Sequence, residues 1–62
     1  MYGITLLGNG LVHIRDGRSG LCGLYSPAGL WRSGDLMLSP LDAMRLIGEH
    51  RLAHGGLVYV DA

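Results

Sequence analysis

Residues 2–16, YGITLLGNGLVHIRD, decide the fold, because two strand-forming segments flank the turn sequence Gly8-Asn9-Gly10. This pattern is a strong local signal for a β-hairpin. A two-residue turn would pair Leu7 with Val12 and would mix charged and apolar side chains on one face. A three-residue loop, with its last glycine in the left-handed conformation, pairs Leu7 with Leu11 instead. A shift of one residue exchanges the two faces of a strand. We predict the second register, because it places five apolar side chains on the same face: Tyr2, Ile4, Leu6, Val12 and Ile14.

The opposite face of this hairpin carries a second, smaller apolar group. Leu7 and Leu11 lie together there, beside His13. Other side chains already form the apolar face that packs in the core. We therefore predict no contact within the chain that would bury these two leucines. We therefore predict that Leu7, Leu11 and His13 belong to a protein-binding surface.

Residues 39–56, SPLDAMRLIGEHRLAHGG, predict one α-helix. Ser39 is suited to the N-cap, Pro40 to the first helical position and Asp42 to the positive end of the helix dipole. The two glycines at 55–56 provide a stop, so the helix is predicted over 40–53. At 100° per residue, one face is charged (Asp42, Arg45 and Glu49) and the opposite face is apolar (Ala43, Met44, Leu46 and Ile47).

Shorter elements complete the chain. Residues 21–25 and 30–32 predict brief strands around the β-turn SPAG at 26–29, and LVYV at 57–60 predicts a C-terminal strand. With 62 residues the chain is one domain, 1–62. The predicted fold class is a small single α+β domain, with a mainly antiparallel sheet and one helix packed on it.

Composition predicts a protein partner. The chain is 48% apolar and only 16% charged, against a usual charged share of about 25%. Because a small domain has much surface and little interior, the excess apolar residues must lie outside, where apolar patches mark interfaces. The predicted partner is another protein or a further copy of the chain, as in a homo-oligomer.

Charge and hydropathy argue against nucleic acid and membrane as partners. The five basic residues are all arginine, they are spread along the chain, and five acidic residues balance them. Neither a basic stripe for phosphate nor an acidic excess is present. The N-terminus lacks the positive segment of a secretory signal, and no apolar run is long enough for a membrane span. With a single cysteine, the expected compartment is the cytoplasm, which would be the host cytoplasm for a phage-encoded protein.

The stretch GEHRLAHGG, residues 48–56, is the candidate metal site, because His50 and His54 are four residues apart. The zincin motif H-E-x-x-H requires glutamate after the first histidine, whereas Glu49 precedes His50. We interpret these histidines as closing the helix, and we predict no bound metal or cofactor. Neither Cys22 nor Ser26 has the setting of an activated nucleophile, so we predict that the chain is not an enzyme.

Trp31 is the only tryptophan and lies between two turns, with Arg32 beside it. It can serve as a core anchor, or as the centre of a protein interface, where Trp, Tyr and Arg dominate the binding free energy. We predict that Trp31 and Arg32 belong to a protein-binding surface.

In size and plain composition the chain resembles the small accessory proteins of bacteriophages and mobile elements, among them anti-CRISPR inhibitors. That resemblance implies a non-catalytic inhibitor that sterically blocks a host defence complex. Many members of the class are strongly acidic and this chain is not, so blocking through arginine and aromatic contacts is expected. Two alternatives remain: a structural subunit of a larger assembly, such as a virion protein, and a small metal-binding domain using His50 and His54.

Overall fold

The structure is a computed structural model that describes residues 1–53. They form a four-stranded antiparallel sheet and one helix: β1 (Tyr2–Leu6), β2 (Val12–Asp16), β3 (Cys22–Tyr25), β4 (Trp31–Gly34) and α1 (Pro40–Ala53). The strands lie in the sheet in chain order, each beside its neighbour in sequence. The predicted α+β class and the predicted helix are confirmed, whereas the strand predicted at 57–60 and His54 lie outside the described residues.

The hairpin adopts the predicted three-residue loop. Ile4 pairs with Ile14, and the N–H of Leu7 donates to the carbonyl of Leu11 at 2.9 Å. Gly10 has a φ of +88°, a left-handed value that glycine reaches without steric strain. Its N–H donates to the carbonyl of Leu7 at 3.0 Å. The turn geometry therefore allows the same register that places the apolar side chains on one face.

The two later turns are closed by short polar side chains. In SPAG, the N–H of Gly29 donates to the Ser26 carbonyl at 2.8 Å, as a β-turn with proline in second position requires. The Ser26 hydroxyl also accepts from the N–H of Leu30 at 3.1 Å. After β2, the N–H of Arg18 donates to the carboxylate of Asp16 at 2.9 Å, and this bond lowers the pKa of Asp16.

Helix α1 covers one face of the sheet and closes a small core. In the described part of the chain, seven buried residues form this core: Leu6, Val12, Ile14, Tyr25, Leu36, Ala43 and Ile47. The predicted helix face was wrong for Met44, whose side chain is 54% exposed. The helix is turned so that the small side chain of Ala43 meets the sheet together with Ile47, and this rotation carries Met44 to the rim. Tyr2 is also 38% exposed, because it begins an edge strand.

Residues 35–39 connect β4 to the helix, and Tyr25 fixes them in place. The buried phenol of Tyr25 donates to the carbonyl of Leu36 at 2.5 Å and accepts from the N–H of Leu38 at 2.9 Å. A segment without regular structure thereby has two of its backbone groups paired inside the protein. Tyr25 therefore orients the start of the helix as well as filling the core.

Gly23 and Gly34 pair with each other where the chain leaves β4 and turns back over the sheet. The N–H groups of Asp35 and Leu36 both donate to the Cys22 carbonyl at 3.0 Å. A Cβ on Gly23 would lie 2.5 Å from the carbonyl oxygen of Leu36. The glycine that weakens β3 as a strand is therefore what allows the connecting segment to pass over it.

Ser39 caps the helix as predicted, and its removal is the first test of the structure. Its hydroxyl accepts from the N–H of Asp42 at 3.2 Å. Ser39→Ala leaves that donor without its cap, so we expect a loss of about 1 kcal/mol in the free energy of unfolding. Chemical denaturation measures it. The matched control is Ser33→Ala in exposed strand β4, expected to change stability by less than about 0.5 kcal/mol. Equal values for the two variants would show that the Ser39 hydroxyl does not cap the helix.

Candidate functional site

Strand β4 carries Trp31 and Arg32 at one edge of the sheet. All four residues of β4 are exposed, and 41% of the Trp31 side chain is accessible. Trp31 lies opposite Tyr25, but the register shifts by one residue next to this pair, which leaves Arg32 as an extra residue in the edge strand. Among the strands, α1 packs mainly against β1 at the opposite edge of the sheet, and the indole at the β4 edge is only partly covered.

The loop before β4 brings the helix next to Trp31. The backbone of Gly29 is so close to Met44 that a Cβ on Gly29 would lie 2.6 Å from the Met44 Cγ and 2.8 Å from its backbone nitrogen. Leu30 and Trp31 follow Gly29 directly, and Leu41 lies one turn before Met44 on the helix. A loop, an edge strand and the first turns of the helix therefore meet at one place.

These elements carry four exposed apolar side chains, which together we call the Trp31 surface and define as Leu30, Trp31, Leu41 and Met44. Leu30 is 53% exposed, Leu41 77% and Met44 54%. Four large apolar side chains in water are unfavourable in a domain with so small a core, and contiguous apolar patches are characteristic of protein interfaces. Trp31 was predicted from the sequence, whereas Leu30, Leu41 and Met44 were not.

Charged residues border the Trp31 surface. On the helix, Arg45 lies 3.8 Å from the carboxylate of Asp42 and 3.3 Å from that of Glu49, and all three side chains are exposed. These pairs satisfy the Arg45 charge within the helix, and exposed pairs contribute little to stability. Arg32 makes no ion pair with any residue between 1 and 53.

The second predicted surface lies on the face of the sheet opposite the helix. Leu7 and Leu11 pair there, and His13 lies between Thr5 and Leu24 in the adjacent row. Leu7, Leu11 and His13 were expected to be an exposed group, but each is half-buried. The structure brings these three residues together and places them apart from the Trp31 surface.

The candidate metal ligands are distributed over different parts of the fold. His50 is half-buried on the sheet-facing side of α1, three residues after Ile47, whereas His13 lies on the open face of the sheet. Within residues 1–53, no three His, Cys, Asp or Glu side chains are grouped so that they could hold a metal ion. Cys22 is a free, half-buried thiol with its Sγ 3.7 Å from the carbonyl oxygen of Gly20. No pocket is formed by the described part of the chain.

No helix in the described part of the chain has the length and apolar character needed to cross a membrane. Comparison with protein-family models, with curated proteins and with solved structures gives no match.

Proposed function

We propose that this chain is a non-catalytic protein-binding protein whose contact surface is the Trp31 surface. The observation that carries the proposal is the exposure of four large apolar side chains that the loop, the edge strand and the helix bring together. A partner with an apolar patch would remove them from water, and tryptophan gives an interface a large, rigid contact. Arg32, which makes no ion pair within residues 1–53, adds a contact at the border for a carboxylate of the partner.

The test compares two equivalent leucines on the same helix. Leu41 belongs to the Trp31 surface, whereas Leu52 lies at the other end of α1 and is 85% exposed. Partners captured from the native host by the wild-type chain are identified by mass spectrometry, and their affinities are then measured for Leu41→Ser/Met44→Ser and for Leu52→Ser. We expect the first variant to lose at least about tenfold in affinity, equivalent to about 1.4 kcal/mol, and Leu52→Ser to bind like the wild type.

Two further variants locate the surface. Trp31→Ala/Arg32→Ala is expected to lose binding as the helix variant does, with its folding checked by circular dichroism. Leu7→Ser/Leu11→Ser changes the open sheet face. If that variant alone loses the partner while both Trp31-surface variants keep it, binding runs through the open face and the proposed surface is wrong.

The finer form of the proposal is a phage-encoded inhibitor of the anti-CRISPR type that sterically blocks a host defence complex. It is supported by the small size of the chain and by the exposed apolar side chains of the Trp31 surface. In that case the captured partner belongs to a defence complex, and the Leu41→Ser/Met44→Ser variant loses inhibition together with binding. A captured partner that is itself a component of a virion would favour the structural-subunit alternative instead.

A further inference from the structure

The two edges of the sheet differ in how well they can accept another strand. Strand β4 is four residues long, its register shifts at Tyr25, it carries Arg32, and it ends at Gly34 with a φ of +109°. Short length, bulges and charge are the features by which natural sheets prevent edge-to-edge pairing. Strand β1 has five residues, YGITL, pairs with β2 in regular register, and contains neither a charge nor a proline. Helix α1 packs against β1, but the protective features that belong to a strand itself are found at the β4 edge only.

The hydrogen bonds at the two ends of β1 show which of its backbone groups point outward. The Met1 carbonyl accepts from the N–H of Gly17 at 2.8 Å, and the Leu7 N–H donates to Leu11 at 2.9 Å. In an antiparallel pair, hydrogen-bonded residues alternate along the strand. Odd-numbered residues of β1 thus bond to β2, and the N–H and C=O groups of the even-numbered ones point away from it: Tyr2, Ile4 and Leu6.

We infer that β1 pairs with β1 of a second copy of this chain, antiparallel about a twofold axis at Ile4. This register places Ile4 opposite the Ile4 of the second copy and Tyr2 opposite its Leu6. All the outward backbone groups of the strand then meet their counterparts, which gives six hydrogen bonds by the alternation rule. No strand within residues 1–53 occupies this edge.

Side chains and charge fit the same arrangement. Tyr2 is 38% exposed and Ile4 is half-buried, so both gain cover from the second copy. In the intervening pair, Gly3 has no side chain to crowd the Thr5 opposite it, and nothing lies within 4 Å of a Cβ built on Gly3. The formal net charge of the chain is zero, so two copies approach without long-range repulsion. None of these residues belongs to the Trp31 surface, so this inference and the proposed function succeed or fail independently.

The test uses the unmodified chain first. Sedimentation velocity over a concentration range is expected to show a dimer of twice the 6.6 kDa chain mass. Amide hydrogen exchange is measured at the same concentrations. The N–H groups of Ile4 and Leu6 are expected to become at least about tenfold more protected as the dimer forms, while that of Thr5, bonded to β2, stays protected throughout.

A pair of variants isolates the backbone contribution. Ile4→Ala and Ile4→Pro both remove the isoleucine side chain, but only proline removes the outward N–H at the twofold axis. We expect the dissociation constant of the proline variant to be at least tenfold above that of the alanine variant. A monomer at all concentrations, a dimer without added protection at Ile4 and Leu6, or protection that does not depend on concentration would each overturn the inference. The last result would mean that the chain itself covers β1. Because exchange in the wild type decides between these outcomes, the inference remains testable even where a variant fails to fold.

Discussion

Gly34→Ala is expected to unfold most of the protein. The φ of Gly34 is +109°, a conformation that alanine adopts only under strain. The added Cβ would lie 2.6 Å from the Cys22 carbonyl oxygen and 2.7 Å from the Cα of Gly23. Both neighbours are backbone atoms of β3 and cannot rotate away. Backbone strain and overpacking each cost roughly 1–3 kcal/mol, against a total stability of about 3–5 kcal/mol for a core of this size.

The control is the same substitution at Gly48, in the middle of α1. A Cβ there meets no atom within 4 Å, so Gly48→Ala is expected to stabilise the protein by about 1 kcal/mol through helix propensity alone. Urea denaturation followed by circular dichroism measures both variants. A Gly34→Ala protein with the wild-type midpoint would mean that the chain does not turn over β3 in the way described.

Tyr25→Phe is expected to have the next largest effect. The phenylalanine ring fills the same space, but the carbonyl of Leu36 and the N–H of Leu38 both lose their partner. A buried polar group left unpaired costs about 1–3 kcal/mol, and Leu36 is buried. We expect a loss of about 2–3 kcal/mol, visible as a lower urea midpoint and a lower melting temperature.

Tyr2→Phe removes a hydroxyl in the same chemical change and serves as the control. Tyr2 is exposed and its hydroxyl has no hydrogen bond to residues 1–53, so stability should stay within about 0.5 kcal/mol of the wild type. If Tyr25→Phe behaves like this control, the connecting segment is held by packing and not by the phenol.

The parts of the fold that local chemistry determines were predictable from the sequence. The apolar alternation around Gly8-Asn9-Gly10 selects one hairpin register, since the other register would bury charge. Ser39, Pro40 and Asp42 each fit one position at a helix start, and the helix begins at Pro40. In both cases, residues close together in the sequence are sufficient to determine the local structure.

The connecting segment could not be predicted in this way. LML at 36–38 has the composition of a short strand, but it is paired by a phenol 11 and 13 residues earlier in the chain. From sequence alone, a glycine in a strand such as Gly23 only weakens it, and its role becomes visible when Leu36 is placed over it. Such contacts join residues far apart in sequence, and no local pattern specifies them.

For the candidate site, the sequence pointed to Trp31 through residue type alone. It misassigned Met44 to the core because the apolar residues of α1 extend around more than one face. Leu41 and Met44 are three residues apart and continue the helix surface away from Ala43 and Ile47. The sequence signal that could have indicated this exposed surface was a second apolar stripe on the helix, beside the stripe that packs in the core. The angle at which the helix sits on the sheet decides which stripe is buried, and that angle depends on tertiary packing.

The order of the strands has a consequence for the rate at which the protein folds. Within residues 1–53, every pair in the sheet joins strands that are consecutive in the chain, and the loops between them span only residues 7–11, 17–21 and 26–30. Closing such short loops loses little chain entropy, and proteins dominated by local contacts fold faster than those with distant pairings. The sheet can therefore assemble hairpin by hairpin, before the helix and the contacts of Tyr25 are in place. Contacts that form after the folding barrier govern how slowly the native state opens, so the Tyr25 hydroxyl would protect this small protein chiefly by slowing its unfolding.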